Sequence, residues 1–319
     1  MHKFPVGVLG ASGYAGRELV GLIEGHPSME LAFASANGQK GQSMRAGRRD
    51  VTFIGADEAP LGDAALVMSA LPHGASLEWV EKARATGAKV VDLSSDLRIG
   101  NGRSDVPYGL TELKRDQVSG AHLVANPGCY PTAILLALAP LAKHGLIAKA
   151  STISVSAASG VTGAGFTPRA DLLFAEISED FRAYGVGNGH RHLAEMRALL
   201  EELGSDNDLV FTPHLLPVAR GILATIVVRL ETEIASPLSV WQEAYEGEPF
   251  IEVSATTPAI RDVVRRNSVK ISAVRAEKTQ HPTLIITSAI DNLTKGAAGQ
   301  AIQNANLMLG LEETAGLPA

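Results

Sequence analysis

The chain has 319 residues, a formal net charge of −6 at pH 7 and a single cysteine. This length suffices for two domains with a sizeable core, and the acidic balance argues against nucleic acid and membranes as partners. One cysteine permits no internal disulfide, and no signal-like segment precedes the first strand, so we expect a cytoplasmic protein. No stretch is long and apolar enough to predict a transmembrane helix.

The first predicted element is an apolar strand from Phe4 to Leu9, which runs into a glycine-rich turn and a helix from about Ala15 to Glu24. Glycines here allow a tight turn, a close approach of the backbone to pyrophosphate and packing of the helix on the strand. Their spacing is not the commonest fingerprint and also suits an ordinary strand-to-helix turn, but its position favours a dinucleotide site. The candidate cofactor residues of this turn are Gly10, Ser12, Gly13, Tyr14, Ala15 and Gly16.

The second predicted strand, Met29 to Ala34, ends without the acidic residue that NAD enzymes usually place against the ribose 2′-hydroxyl. No Asp or Glu occurs between positions 31 and 43. Ser35 can donate to a 2′-phosphate, and Lys40 or Arg45 would add positive charge unless each is only a solvated loop residue. We therefore expect NADP(H) rather than NAD(H) as the cofactor.

Two further strands are predicted, Ala65 to Ala70 and Lys89 to Leu93, with a helix between them that we expect Ser76 to cap. Alternating strands and helices predict a parallel, doubly wound α/β sheet, which binds ligands beyond the carboxyl ends of its strands. The segments at these two ends are Leu71-Pro72-His73-Gly74 and Asp92-Leu93-Ser94-Ser95-Asp96-Leu97-Arg98. We expect Pro72 to contact the cofactor and His73 to shape the turn beside it, with a catalytic role for His73 as the alternative.

The cysteine stands in the segment Asn126-Pro127-Gly128-Cys129-Tyr130-Pro131-Thr132, between a strand ending at Ala125 and a helix predicted from Thr132 to Lys143. Pro131 suits a first helical turn, where its missing N–H has no partner in any case. A thiol just ahead of a helix N-terminus meets the positive end of the dipole and unpaired donors, which favour the thiolate. A lone cysteine is often a buried structural residue, but the turn and the helix start favour a nucleophile.

The second half begins with a strand from Thr152 to Ala158 and a second glycine-rich loop, residues 159–165. The segment Gly189-His190-Arg191-His192 then precedes a predicted helix, and His214 lies ahead of a strand from Ile222 to Leu230. The last predicted helix opens at Asp291 and reaches about Leu309. One cysteine and scattered histidines form no metal-ligand pattern, so we expect no metal.

Together and in order, these segments resemble the N-acetyl-γ-glutamyl-phosphate reductases of arginine biosynthesis, which are relatives of aspartate-semialdehyde dehydrogenase. The resemblance covers nearly the whole chain and rests on GASGYAGREL, ALPHG, DLSSDLR, NPGCYPT, SGVTGAG, GHRH, FTPHLLPVARG and DNLTKGA. It implies NADPH-dependent reduction of an acyl phosphate to an aldehyde through a cysteine thioester. Ser95, Leu97, Thr111 and the pair Val218-Ala219 depart from the family's common residues. A related acyl phosphate of lysine (aminoadipate) or aspartate-semialdehyde synthesis is therefore the alternative substrate.

The resemblance also implies roles for particular side chains. Cys129 corresponds to the nucleophile and His192 to the acid/base, with His190 as the alternative in the same triplet. Arg98 corresponds to a residue that binds a substrate carboxylate or phosphate, unless it forms only a surface salt bridge. Glu195 would orient His192. The remaining implied contacts are His214 with substrate or its own loop, Ser159 and Gly160 with the nicotinamide region, and Asn292 and Lys295 with the cofactor.

The same resemblance implies the domain organisation. A Rossmann-type NADP-binding domain would comprise residues 1–128 and 293–319, and an α+β catalytic and oligomerisation domain would comprise residues 129–292. The second domain would build a homodimer or homotetramer. Two other classes compete with this interpretation: a cysteine hydrolase would not need the glycine-rich turn, and a non-catalytic NADP sensor would not need Cys129 ahead of a helix.

Overall fold

The computed structural model describes residues 3–101 and 105–318, which form two compact units. Unit 1 contains the described residues up to Gly128 together with Ala297–Pro318, and unit 2 contains Cys129–Gly296. The strands are β1 (Phe4–Leu9), β2 (Met29–Ser35), β3 (Ser43–Ala46), β4 (Arg49–Thr52), β5 (Leu66–Ser69), β6 (Lys89–Asp92), β7 (Leu123–Ala125), β8 (Thr152–Gly160), β9 (Arg182–Ala183), β10 (Asp208–Leu216), β11 (Ile222–Arg229), β12 (Ile251–Val253), β13 (Val269–Arg275) and β14 (Thr283–Ile290). The helices are α1 (Tyr14–Gly25), α2 (Ser76–Ala85), α3 (Thr111–Val118), α4 (Cys129–Lys143), α5 (Phe174–Ile177), α6 (His192–Glu202), α7 (Pro237–Ala244) and α8 (Gly299–Met308), and a π-helical turn, Thr294–Ala298, precedes α8.

Unit 1 is built on a parallel sheet with the strand order β2-β1-β5-β6-β7. All four residues of β5 are buried, as expected for a parallel strand whose two faces are both covered. Helix α1 buries Leu19, Val20 and Ile23 in the hydrophobic core that it shares with this sheet, and their spacing is that of one helical face. The predicted α/β class with a parallel sheet is therefore confirmed.

The prediction that Ser76 caps a helix was wrong. Ser76 is the first residue of α2, and the flanking cap position, Ala75, forms no side-chain cap. The Ser76 hydroxyl instead donates to Asp92 Oδ1 at 2.6 Å and lies 2.6 Å from the hydroxyl of Ser69. These buried groups stand at the carboxyl ends of β5 and β6, so the serine satisfies a buried carboxylate rather than the helix end.

Unit 2 contains a mixed sheet with the strand order β12-β13-β14-β11-β8-β10-β9. Along β8 the side chains alternate: Ile153, Val155 and Ala157 are buried, and the residues between them face outward. The buried face packs against α4, whose residues from Tyr130 to Ala142 are all buried. The other face carries small polar and β-branched residues, and it exposes valines from three of its strands.

Helix α4 accommodates Pro140 in its interior. A proline there donates no N–H, so the carbonyl four residues earlier, that of Leu136, loses its helical partner. The hydroxyl of Tyr245 donates to that carbonyl at 2.6 Å, and Trp241 Nε1 donates to the neighbouring carbonyl of Ala137 at 3.0 Å. Side chains from the region of α7 thus satisfy backbone groups that a fully buried helix could not offer to water.

No helix in the described part of the chain is long and apolar enough to cross a lipid bilayer.

Candidate active site

In the glycine-rich turn between β1 and α1, backbone packs closely against two of the glycines, Gly10 and Gly16. Gly10 has φ +75°, and a Cβ there would lie 2.6 Å from the carbonyl oxygen of Ala70. A Cβ on Gly16 would lie 2.3 Å from the carbonyl oxygen of Gly10, so the helix can approach the turn only without a side chain. At Gly13 the nearest atom to an added Cβ is 3.7 Å away, and no side chain within the described residues caps α1. The N-terminal donors of α1 are therefore available to an anionic ligand.

Arg17 supports this turn and was missed by the sequence analysis. Its Nε donates to the carbonyl oxygen of Ser12 at 2.8 Å, and its Nη2 donates to Gln39 at 3.4 Å. The available signal was a basic residue one position after the third glycine. Ser12, Tyr14 and Ala15, the other predicted cofactor residues, lie in the turn and in the first turn of α1.

Ser35 ends β2 beside the glycine-rich turn, because Ala11 N donates to its carbonyl oxygen at 2.8 Å. The side chain is buried, and its Oγ has no hydrogen-bond partner within residues 3–101 and 105–318. A buried hydroxyl without a partner is costly unless a ligand satisfies it. Lys40 and Arg45, the two predicted charges nearby, are both exposed and pair with Glu58 and Asp50.

The turn containing Pro72 and His73 is tied to the segment after β6. His73 Nδ1 accepts the N–H of Ser95 at 2.8 Å, and Gly74 N donates to Asp96 at 2.8 Å. Asp92, at the end of β6, is buried and accepts the hydroxyl of Ser94 at 2.6 Å. Burial raises the pKa of Asp92, an effect opposed by its hydroxyl donors and by the charge of Arg98.

Arg98 is buried, which excludes the alternative of a surface salt bridge. Its Nε donates to the carbonyl oxygen of Asn126 at 2.8 Å, and its Nη2 donates to that of Leu93 at 2.6 Å. The Asn126 side chain in turn donates to Ala297 O at 3.1 Å and accepts from Asn304 at 3.0 Å. Arg98 therefore helps to hold the turn that leads to the cysteine.

Cys129 is the first residue of α4 and is partly exposed. The helix begins three residues earlier than predicted, so the cysteine stands in the first helical turn rather than ahead of it. The physical reason is that a proline is tolerated throughout the first turn, so Pro131 does not mark the helix start. The positive end of the helix dipole still faces this position.

An aromatic and imidazole cluster adjoins the cysteine. The Tyr130 ring meets His190 and His192 edge-on, with centroids 5.4 and 6.1 Å away, and the two imidazole centroids lie 4.7 Å apart. The hydroxyls of Tyr130 and Tyr184 are 2.9 Å apart. Sequence reasoning assigned neither tyrosine; the only signal for Tyr130 was its place next to Cys129, and Tyr184 is 54 residues away.

Burial sets the protonation of this cluster. It raises the pKa of Tyr130, and it raises that of Tyr184 to about 12, with the nearby Cys129 adding to both shifts. Burial, reinforced by the charge of Arg191, lowers the pKa of His190 to about 4, so this imidazole is neutral near pH 7. His190 Nδ1 accepts the N–H of His192 at 3.2 Å, which assigns the ring proton to Nε2.

His192 begins α6, and Glu195 follows it on the same side of the helix, three residues later. Both side chains are buried. His214 lies in β10 opposite Ala183 of β9, and its ring stacks on Phe181 with centroids 5.1 Å apart.

Of the remaining predicted cofactor residues of unit 2, Ser159, Gly160 and Asn292 lie together where β8 ends. Ser159 Oγ donates to Gly160 O at 3.1 Å, and Gly160 N donates to Gly221 O at 2.9 Å. Asn292 accepts the N–H of Gly221 at 2.7 Å and donates to Thr162 Oγ1 at 2.9 Å, so it joins two loops. Lys295 is fully buried, with its Nζ 5.5 Å from the centroid of the Phe250 ring.

Across the described ranges, no group of three or more His, Cys, Asp or Glu side chains is arranged to hold a metal ion.

Both units match known protein families. Residues 5–121 match the semialdehyde dehydrogenase NAD binding domain, and residues 129–292 match the semialdehyde dehydrogenase dimerisation domain. The fold and these two matches, together with the cysteine and its histidine cluster, thus define the protein as an oxidoreductase of the semialdehyde dehydrogenase type.

The relatives narrow this class. Proteins named N-acetyl-gamma-glutamyl-phosphate reductase from Geobacter sulfurreducens and Citrifermentans bemidjiense are 40% and 38% identical, each aligned over 98% of this chain and 97% of the relative. The same name belongs to a protein of Rhodopirellula baltica that is 38% identical with the same coverage. The chain belongs to the N-acetyl-γ-glutamyl-phosphate reductase family.

Solved structures support the fold. Aspartate semialdehyde dehydrogenase II of Vibrio cholerae, complexed with ASA, is 20% identical and matches with a TM-score of 0.79 over 97% of this chain and 99% of its own. The aspartate semialdehyde dehydrogenase of Candida albicans with NADP is 16% identical, with a TM-score of 0.72 over 96% of this chain and 98% of its own.

Proposed function

We propose that the chain catalyses the NADPH-dependent reductive dephosphorylation of N-acetyl-γ-glutamyl phosphate to N-acetylglutamate 5-semialdehyde, a step of arginine biosynthesis. The observation that carries this proposal is Cys129 in the first turn of α4, with the adjoining Tyr130 in contact with both His190 and His192. The names of the relatives supply the substrate.

The turn and β2 of unit 1 fit NADP(H). Pyrophosphate would meet the N-terminal donors of α1 at Gly13, where an added Cβ has room and the bare backbone allows close approach. The buried Ser35 hydroxyl offers a donor for the 2′-phosphate, and no carboxylate follows in the next residues to repel it. When bound, NADPH supplies the hydride that reduces the thioester carbonyl.

Cys129 attacks the γ-carbonyl carbon of the acyl phosphate as a thiolate. The carbon–sulfur bond forms, the carbon–oxygen bond to phosphate breaks, and inorganic phosphate leaves with the bonding electrons. Backbone N–H groups at the start of α4 stabilise the oxyanion that forms on the carbonyl oxygen. After reduction of the thioester, the carbon–sulfur bond of the hemithioacetal breaks, which releases the aldehyde and restores the thiolate.

His192 holds and moves the proton of the hemithioacetal hydroxyl. His190 is poorly suited to this role, because an imidazole with a pKa of about 4 is a weak base for that proton near pH 7. Glu195 orients His192 from the same side of α6. Arg98 contributes buried positive charge toward the anionic substrate, and His214 contributes a substrate contact.

Unit 2 also exposes apolar residues that a second copy of the chain would cover. Leu173, Phe174 and Phe181 are 59%, 81% and 58% exposed, and the outer face of the sheet exposes Val210 and Val227. The match of this unit to a dimerisation domain supports the same assignment. The enzyme forms a homodimer or homotetramer and acts in the cytoplasm, where a reducing milieu suits a catalytic thiol.

The decisive experiment runs the reaction backwards and follows NADPH absorbance. N-acetylglutamate 5-semialdehyde and NADP⁺ should give NADPH only when phosphate or arsenate is present, because the anion must release the acyl group from the thioester. A cysteine hydrolase or a nucleotide sensor would show no such dependence. A panel that includes aspartate semialdehyde and the aminoadipate analogue tests the acyl group. Faster turnover of either analogue would transfer the assignment to that pathway.

A further inference from the structure

The segment after β14 is held rigidly by one buried carboxylate. Asp291 is fully buried and accepts the N–H groups of Leu293 at 2.8 Å and Thr294 at 3.0 Å through Oδ1, and that of Arg265 at 2.6 Å through Oδ2. Arg220 Nε forms an ion pair with Asp291 at 3.0 Å, and its Nη2 donates to Thr294 Oγ1 at 3.1 Å. A carboxylate with this many hydrogen-bond partners fixes the backbone position at which the next turn begins.

The next turn is π-helical, and its middle residue, Gly296, lies against the cysteine. Gly296 N donates to Asp291 O at 2.8 Å, a bond between residues five apart, which is the π-helical spacing. A Cβ on Gly296 would lie 2.8 Å from Cys129 Cβ, 3.2 Å from Cys129 Cα and 3.2 Å from Asp291 O. Each of these atoms is backbone or next to backbone, so none can swing away as the end of a long side chain would.

Contact on one side of Cys129 Cβ limits the positions of its sulfur. A cysteine side chain chooses among three staggered rotamers, and the Gly296 backbone occupies space beside the Cβ from which the sulfur projects. We propose that Gly296 is a positioning residue for the nucleophile. Asp291 and Arg220, which we call the clamp, fix the π turn, and the turn places the backbone of Gly296 against Cys129. This contact restricts the directions that Sγ can take. This role rests on the proposed function only in taking Cys129 as the attacking group.

The test is Gly296→Ala in the full-length protein, with Gly21→Ala as the matched control. Gly21 lies on the exposed side of α1, and no atom of residues 3–101 or 105–318 outside its own helical neighbours lies within 4 Å of an added Cβ. A displaced nucleophile costs roughly 100-fold when it moves by about 1 Å. We therefore expect Gly296→Ala to lower kcat by about 10- to 100-fold, while the KM for NADP⁺ stays close to that of the parent. The control should keep the parent kcat.

A second readout needs no substrate. The rate of Cys129 alkylation by iodoacetamide, followed by mass spectrometry, should change in Gly296→Ala and stay at the parent value in Gly21→Ala. This measurement remains informative if the parent lacks reductase activity, so failure of the proposed function and failure of the positioning role are distinguishable. A folded Gly296→Ala protein with the parent kcat and alkylation rate would overturn the inference.

Asp291→Asn decides the question if Gly296→Ala does not fold. This variant keeps the size of the side chain and weakens the clamp without placing bulk against Cys129. We expect the alkylation rate and kcat to change in the same direction as in Gly296→Ala, but less. Parent values of both in a folded Asp291→Asn protein would refute the positioning role.

Discussion

The glycine-rich turn of unit 1 and the cysteine–histidine cluster of unit 2 are built in opposite ways. The turn is a contiguous stretch from Gly10 to Gly16 whose shape depends on absent side chains, because added Cβ atoms at two of its glycines would overlap backbone. The cluster depends on particular side chains brought together from α4, α6 and the segments near β9 and β10. Adding a side chain should therefore impair the turn, whereas removing a functional group should impair the cluster.

The largest effect should come from the cluster. Cys129→Ser should abolish turnover, because the chain has no second thiol and a serine hydroxyl is a poor nucleophile without a thiolate's ionisation. NADP(H) binding, measured by fluorescence titration, should stay nearly intact, since the glycine-rich turn is unchanged. After brief incubation of the parent with acyl phosphate, mass spectrometry should show one acyl adduct, on Cys129. Substantial reductase activity of Cys129→Ser would end the thioester mechanism.

The next effect distinguishes the two histidines. His192→Ala should slow the chemical step by roughly 10²–10⁴-fold, the range for losing a general acid/base. His190→Ala should cost much less, because burial lowers the pKa of its imidazole to about 4 and makes it a weak base near pH 7. If His190→Ala is the more damaging change in stopped-flow measurements, the two roles are reversed.

Two alanine substitutions test the turn. At Gly16 a Cβ overlaps backbone, so Gly16→Ala should lower the free energy of unfolding by about 1–3 kcal/mol and weaken cofactor binding. At Gly13 a Cβ has room and φ is −71°, which suits alanine. Gly13→Ala should keep the parent stability in urea but raise the KM for NADP⁺, because its methyl group obstructs the approach of pyrophosphate. Equal losses of stability in both variants would contradict the assignment of a packing role to Gly16 and a cofactor-binding role to Gly13.

A smaller effect concerns the choice of cofactor. The parent should prefer NADP(H) over NAD(H) by at least tenfold in Kd, about 1.4 kcal/mol. Ser35→Asp should narrow or reverse that preference, because a carboxylate repels a 2′-phosphate and accepts from a 2′-hydroxyl. Ser35→Ala is the control that removes the hydroxyl without adding charge. Equal use of both cofactors by the parent would show that Ser35 does not select between them.

The smallest effect is on stability at acid pH. The pKa of His190 is about 4 in the folded chain, below its ordinary value of 6.5. As pH falls from 6.5 toward 4, the unfolded imidazole binds a proton that the folded one does not, so stability present above pH 6.5 is lost. Urea unfolding of His190→Gln should therefore show a shallower loss between pH 7 and pH 5 than the parent. An identical pH dependence would mean that His190 titrates normally when folded.

Sequence patterns predicted local structure best where the residues of a single strand or helix determine its bounds. The strand Phe4–Leu9 was predicted to the residue, and α1 begins one residue before the predicted start. Ser76 and the start of α4 were predicted wrongly, because a serine or a proline near a helix start fits more than one position. Local propensity cannot choose between a cap and a bond to Asp92 that only the folded sheet provides.

The candidate site was predictable only in part for a related reason. Cys129 stood out as the single cysteine of the sequence, whereas only the resemblance selected His192 among nine histidines. Tyr184 gave no local signal, and Arg220 stood in the segment FTPHLLPVARG without an assigned role, because each gains its partner, Tyr130 or Asp291, from a distant part of the chain. The π turn that brings Gly296 to Cys129 also lies beyond periodicity analysis, since the preceding residues were predicted as the start of an ordinary helix.

Helix α4 has no solvent-facing stripe from Tyr130 to Ala142. Such a segment has no reason to remain helical in water before the sheet and α7 enclose it. The environment of the thiol is therefore a product of tertiary assembly, and it should appear late in refolding and vanish early when unit 2 opens. The reactivity of this single cysteine would then serve as a built-in reporter of the intact fold, readable by a thiol reagent without any added label.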